Sequence, residues 1–412
     1  MSASSVWRND GFRRVWAGQT ASIFGDRVTD VALPFLILAE THAPFDAALV
    51  AAARYVPMVV LGLFAGVVVD RVSRRAVLIA CDLARGLALA VIVALAALHH
   101  AASLWLLAGM LVVLGIGQLG FQAAYWAWLP DVLGEDLFGR GAAALEAADA
   151  ASTLGGPAIG GVLVGAIGPA LALGADAFSY FVSAGTLLTV RDTLPPPTPP
   201  PFAWGALWRE VDEGLRAITH SPQQRLLKGL GAVVYISTGS IAVLLVVLGD
   251  VRLHLPAWQT GLILAAAGIG GLVGSASAAR FLALPPMRAL AGIFAVAAVG
   301  MGLLCIATFL TGGAAFILAF VANLILDGAV SLSFIITGTT SVLVTPRAVR
   351  GRVNGVSNLY ASVMRGGGLL VAGALAAMGN PLPAFAAIGL AFAVAASTAG
   401  RTRVSFTAPD VL

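Results

Sequence analysis

The chain has 412 residues, 59% of them hydrophobic and 11% charged, with a formal net charge of +4. Soluble domains carry about 25% charged residues, so this composition excludes a water-soluble enzyme and indicates a polytopic membrane protein. The basic groups are dispersed and form no long run, which argues against a nucleic-acid partner.

Twelve apolar segments follow one another, at 13–39, 47–69, 76–98, 104–129, 143–167, 170–190, 224–249, 258–281, 287–310, 314–343, 350–376 and 381–400. Each is long enough to cross a bilayer as a helix. The N-terminus lacks the layout of a cleaved signal, so the first span is expected to be retained. That span contains Asp26, Arg27 and Asp30. Asp26 lies about 20 Å beyond Arg13 at 1.5 Å per helical residue, close to mid-bilayer. Asp30 is one turn further on the same face. Arg54, in span two, falls at a depth similar to that of Asp30.

The stretch 66–75, GVVVDRVSRR, joins spans two and three through a loop too short for anything but an antiparallel pair. Its arginines place it in the cytoplasm. With that loop inside, nineteen of the 24 basic residues fall on cytoplasmic flanks, only Arg252 lies outside, and Arg27, Arg54, Arg85 and Arg365 lie within spans. An even number of spans then puts both termini in the cytoplasm.

In span three, Asp82 and Arg85 share a face and suit a structural ion pair. Span four combines Gln118 and Gln122 with Phe121, Tyr125, Trp126 and Trp128. These residues suit an apolar cavity wall with two hydrogen-bonding groups. Trp126 and Trp128 equally suit interfacial anchoring, Trp128 more than Trp126. Span five holds Glu146, Asp149 and the run Gly156-Pro157-x-x-Gly160-Gly161, and span six holds Asp176. Pro157 removes a helical hydrogen bond, and the glycines permit close helix contact.

The one long connection, 191–223, opens with PPPTPPP, a stiff spacer. An amphipathic stretch follows, with Leu207, Val211, Leu215 and Ile218 on one face and Trp204 and Trp208 nearby. It reads as a helix lying at the interface, a linker rather than a partner-binding element. The domain organisation is therefore a six-span bundle at 1–192, a linker at 193–223 and a second six-span bundle at 224–412. The halves echo each other weakly: Leu129-Pro130 before Arg140-Gly141 matches Thr345-Pro346 before Arg350-Gly351-Arg352, and 274–280 is a degraded copy of the 66–71 pattern. Related halves place a substrate site near the midplane between them. In the second half, Asp327 and Arg365 both fall near mid-depth and are placed to pair, with Asn323 one turn from Asp327.

Other chemistry is poorly supported. Lys228, the chain's single lysine, is followed by Gly229 without a Walker A pattern. The histidines lack zinc-ligand spacing, and Cys81 and Cys305 lie in apolar spans, where core packing is the simpler reading. No metal and no cofactor is expected, and no enzyme activity.

Gly66-x-x-x-Asp70-Arg71-x-x-Arg74-Arg75 resembles the loop signature of the major facilitator superfamily, with Ser73 in place of its usual glycine. Gly156-Pro157-x-x-Gly160-Gly161 resembles that superfamily's antiporter motif. Phe12-Arg13, Ser22-x-x-Gly25-Asp26, Ala32-Leu33-Pro34 and the run 350–355 are similar to the macrolide-efflux and enterobactin-exporter branch of twelve-helix drug:proton antiporters. The resemblance implies an all-α membrane fold of two pseudo-symmetric six-helix bundles. It implies a cytoplasmic latch in which Gly66, Asp70 and Arg71 meet the start of span eleven near Arg352, leaving topology to Arg74 and Arg75. It also implies that span one lines a central cavity, which favours Asp26 and Asp30 as proton-coupling and substrate groups. Arg54, Asp327, Arg365, Gln118 and Gln122 would modulate them. Many proton-coupled relatives carry an arginine in span four, and the aligned position here is Gly115.

The expected function is export of hydrophobic or amphipathic small molecules, such as drugs, secondary metabolites or siderophores, in exchange for protons across the cell membrane. Its partners would be that substrate, protons and membrane lipids. The Gly/Ala-rich faces are compatible with a monomer or a dimer, the monomer being preferred. Two other readings stand beside it: a lipid or lysolipid transporter of the same fold, and a receptor or scaffold working through the linker helix.

Overall fold

The computed structural model describes residues 6–41, 43–62, 64, 69, 71–98, 103–190, 204–377 and 379–402. They are helical, and no strand occurs among them. The first half contains α1 (Asp10–Thr41), α2 (Pro44–Leu61), α3 (Arg74–Ala97), α4 (Leu104–Leu133), α5 (Glu135–Ile167) and α6 (Pro169–Thr189). A linker helix, α7 (Trp204–His220), precedes α8 (Pro222–Val246), α9 (Ala257–Leu282), α10 (Pro286–Ala307), α11 (Gly312–Leu343), α12 (Arg350–Leu375) and α13 (Leu382–Arg401). Ten of these are long and apolar enough to cross a membrane, among the described residues. Helices α1 and α12 have the length but carry charged and polar residues within it. With them, the described residues contain twelve long helices, a number consistent with the twelve spans that the sequence predicts.

Capping chemistry sets where these helices begin and end. Ser73, Ser103 and Ser221 each accept a hydrogen bond from a backbone N–H in the first turn of α3, α4 and α8, satisfying donors the helix leaves open. Gly134 (φ 73°) and Gly168 (φ 82°) each end one helix and start the next, a left-handed conformation that glycine adopts without penalty. Helix α5 therefore begins at Glu135 rather than at 143 and includes Arg140. Helix α2 is broken into Pro44–Ala53 and Val56–Leu61. Pro57 supplies the cause, because it lacks a donor for the preceding turn and its ring crowds that turn's carbonyl. Helix α8 continues through a wider turn to Arg252.

The chain divides into two compact units, residues Met1–His42 with Leu49–Phe202, and Ala43–Ala48 with Ala203–Leu412. In the first, α1 packs on α5 and α6, and α3 on α4 and α6. In the second, α11 packs on α9 and α10, α10 on α13, and α8 on α12. Small residues set the closest approaches. A methyl on Gly270 would come within 2.1 Å of the Leu324 carbonyl, and one on Gly274 within 2.3 Å of the Gly328 carbonyl. Between helices in lipid, such backbone contact supplies the packing that hydrophobic burial does not.

Polarity is inverted relative to a soluble protein. Trp105, Phe178 and Phe309 are exposed, whereas Asp82, Asp176 and Gln224 are buried. An apolar exterior over a polar interior is what a bilayer requires. The aromatic residues of span four correct the sequence reading. Phe121, Tyr125 and Trp128 are packed into a core with Phe12, Val15 and Leu78 instead of lining an open wall. Trp126 is the exposed ring and Trp128 the buried one, so the anchor-like position is Trp126.

Candidate charge-relay site in the first bundle

The charged residues of span one lie in a network built by six helices, α1 to α6. Gly25 makes it possible: a methyl there would sit 2.2 Å from Asp176 Oδ1 and 2.4 Å from Ser179 Oγ. Its absence lets the polar face of α6 close against α1. Asp30 Oδ1 accepts from Arg54 Nη1 at 2.9 Å, and Asp26 Oδ1 lies 4.0 Å from the other terminal nitrogen of the same guanidinium. Two carboxylates one turn apart on α1 thus share one arginine from the broken region of α2. The break brings Arg54 against α4, where Gly115 leaves room for it. A methyl at residue 115 would lie 2.3 Å from the Arg54 carbonyl. An arginine side chain has no space there, and the cation of this site comes from α2.

Behind this pair, Tyr180 donates its hydroxyl to Asp26 Oδ1. The Arg85 guanidinium lies over the Tyr180 ring, 4.2 Å from its centroid, and over Phe121 at 4.8 Å. Arg85 also pairs with Asp82 and donates to Gln118 Oε1 at 3.1 Å. Gly117 accommodates the arginine's stem, since a methyl there would meet Arg85 Cγ at 2.5 Å. Asp82–Arg85 is the buried structural pair expected from their spacing. On the other side, Arg27 lies 3.2 Å from Asp149 and 3.7 Å from Asp30. Gly156 seats it, as a methyl there would meet Arg27 Cβ at 2.4 Å, while Gly160 packs on Val28 and Val31. The Gly156-Pro157-x-x-Gly160-Gly161 segment therefore positions α5 on the charged stretch of α1.

Asp176 is fully buried and accepts from Thr29 Oγ1 at 2.5 Å and Ser179 Oγ at 3.0 Å. No cation approaches it within ion-pair distance among the described residues. Around this centre stand five carboxylates (Asp26, Asp30, Asp82, Asp149, Asp176) and three guanidiniums (Arg27, Arg54, Arg85). Acids thus outnumber bases in this part of the span, and charged groups within spans are functional candidates by default.

The structure brings together Asp26, Asp30, Arg54 and Gln118, and separates other candidates. Gln122 is on the exposed face of α4. Asp327 and Arg365 form no ion pair: Asp327 accepts from Ser331 at 3.3 Å, and Arg365 lies over the Tyr235 ring at 5.4 Å. The reason is helix packing, since α11 turns Asp327 toward Gly271 of α9 while α12 packs on α8. Asn323 donates to the Ile263 carbonyl at 2.7 Å, and Glu146 is exposed. Gly66 and Asp70 lie outside the described residues. Of their loop, Arg74 pairs with Asp131 at 2.9 Å and Arg75 donates to the Leu187 and Leu188 carbonyls at 2.9 and 2.6 Å. Both therefore do more than set topology, for they tie the start of α3 to α4 and α6. Arg352 pairs with Glu213 of the linker helix.

Sequence reasoning gave Asp176 a minor place and passed over Tyr180. The signal was present as Asp176, Ser179, Tyr180 and Ser183, spaced as one helical face in an otherwise apolar span.

The profile of the transmembrane secretion effector family, a group within the major facilitator superfamily, matches residues 1–408. The chain belongs to that family. It is a multi-pass membrane transporter and not an enzyme. The family assignment agrees with two relatives. The multidrug efflux pump Tap of Mycolicibacterium fortuitum is 27% identical over 383 residues, 89% of each chain. The MFS-type transporter YfiS of Bacillus subtilis is 27% identical over 228 residues, 55% of this chain and 53% of that one. Among solved structures, the nucleoside transporter NupG matches with a TM-score of 0.73 at 10% identity, covering 96% of this chain and all of the other. A bacterial homologue of the iron transporter ferroportin matches at 0.72 and 16% identity, over 97% of this chain and all of the other. At those identities the structures establish the shared fold.

Proposed function

We propose that this transporter is a secondary active exporter of hydrophobic or amphipathic small molecules, driven by inward proton flow across the plasma membrane. Residues 1–192 and 224–412 act as its two bundles, joined by the linker at 193–223, with both termini cytoplasmic. Family membership and the likeness to a multidrug efflux pump support the export direction.

The observation that carries the coupling is the shared guanidinium of Arg54, 2.9 Å from Asp30 and 4.0 Å from Asp26. Protonation of Asp30 removes its claim on Arg54 and lets the cation turn to Asp26. A substrate entering beside α1 that displaces Arg54 drives the same step in reverse, releasing the proton. Arg85 and Asp82 hold Tyr180 in place behind it.

Everted membrane vesicles given a lipophilic fluorescent dye in the external medium test this reading. An imposed pH gradient is expected to drive dye uptake by wild type, and Asp26→Asn and Asp30→Asn are expected to abolish it. Undiminished uptake by both variants, at matched protein levels, would overturn the assignment.

A further inference from the structure

The second unit contains a cavity of about 320 Å³ that the charge network does not use. It is lined by α8, α11 and α12, with Tyr235 and Phe334 forming an aromatic wall whose ring centroids lie 5.6 Å apart. Its size falls at the lower end of small-molecule sites. Into it face Lys228, Arg350, Asn354 and Asn358, and its described lining includes no acidic residue.

The donors in this cavity are not equally available. Thr337, Ser341, Thr345 and Ser357 give their hydroxyl protons to Ser333 O, Gln224 Oε1, Ser341 O and Val353 O respectively. Arg350 donates through Nε to the Thr345 carbonyl at 3.1 Å. By contrast, the Lys228 ammonium has no acidic partner among the described residues, and its environment is half-buried. The side-chain amides of Asn354 and Asn358, one turn apart on α12, likewise have no hydrogen-bond partner among the described residues. Half-burying a cation without a counter-charge is unfavourable. A lysine kept in that situation, beside two unengaged amides and an aromatic wall, fits a ligand that brings the negative charge with it.

We infer that this cavity is a binding site for the anionic group of an amphipathic molecule, a sulfonate, carboxylate or phosphate held by Lys228, Asn354 and Asn358 with its apolar body against Tyr235 and Phe334. The inference deepens the export reading by adding an anionic group to the substrate class, but anion binding here does not itself require transport. Two sources supply such a group, a free substrate and the headgroup of an anionic lipid.

The test uses the full chain purified in neutral detergent. Thermal unfolding is followed with 2-naphthalenesulfonate and, as the opposite charge on the same ring, a naphthyl trimethylammonium ion. The sulfonate is expected to stabilise wild type, with affinity about tenfold weaker in Lys228→Gln, the loss typical of one charge-assisted hydrogen bond. Lys228→Arg should restore most of it, and the ammonium probe should be indifferent to residue 228. In parallel, native mass spectrometry after release from phosphatidylglycerol vesicles counts bound lipid. Phosphatidylglycerol retained by wild type, lost in Lys228→Gln and not displaced by the sulfonate assigns the site to lipid. Displacement by the sulfonate assigns it to a free substrate. Equal sulfonate and lipid binding in wild type and Lys228→Gln overturns the inference. Because neither readout depends on export, a failed dye-uptake assay leaves this result standing, and the converse holds.

Discussion

The two halves of this transporter treat charge in opposite ways. In the first, Asp26, Asp30, Asp82 and Asp149 are each within ion-pair distance of an arginine on a neighbouring turn or helix. In the second, Lys228, Asp327 and Arg365 stand apart, held by a hydroxyl, a ring or nothing but the walls of a cavity. The first unit is cross-linked by ion pairs, and the second is drawn together by close contacts such as those of Gly270 and Gly274 of α9 against α11. A linked network responds as a whole when one member changes. An isolated charge waits for a partner. The proposed coupling centre therefore lies in the first half, and the proposed site for ligand charge in the second.

This contrast can be broken most severely at Arg85. Arg85→Ala strands the fully buried Asp82, and removing one member of such a pair costs about 3–5 kcal/mol. Thermal unfolding in detergent is expected to show that loss. Arg365→Ala should cost far less, about 0.5–2 kcal/mol, the range of a single cation–ring contact. Equal losses would erase the distinction between the halves.

Next in size is Gly274→Leu, which pushes a side chain into the Gly328 backbone. Overpacking of this kind costs about 1–3 kcal/mol, and unfolding temperature should fall while ligand-binding specificity stays unchanged. Tyr180→Phe removes the donor to Asp26 and should cost about 1 kcal/mol, with a proton dependence of export shifted relative to wild type. The smallest effect is expected at Glu213→Gln. Its ion pair with Arg352 is exposed, and such pairs contribute about 0–1 kcal/mol. A large loss of stability there would mean that the linker helix is a structural strap on α12.

Much of the fold was legible in the sequence because lipid imposes length and polarity on every span. Counting residues from Arg13 placed Asp26 and Asp30 at the depth where Arg54 meets them. What remained hidden depended on which way a helix faces. Asp327 and Arg365 match in depth, yet α11 and α12 carry them to different neighbours. Trp126 and Trp128 differ by two positions, enough to send one outward and the other into the core. The break in α2 at Pro57 went unread within the span taken as 47–69, and its consequence, Arg54 fitted against Gly115, required the neighbouring helix.

The most direct test of the account is substrate-induced proton movement in proteoliposomes containing the purified protein and a pH-sensitive dye. Adding a lipophilic substrate to wild type is expected to release protons from the transporter and move them across the membrane, and Asp26→Asn/Asp30→Asn should abolish the signal while still binding the substrate. A full proton signal from the double variant would contradict a coupling centre at Asp26, Asp30 and Arg54.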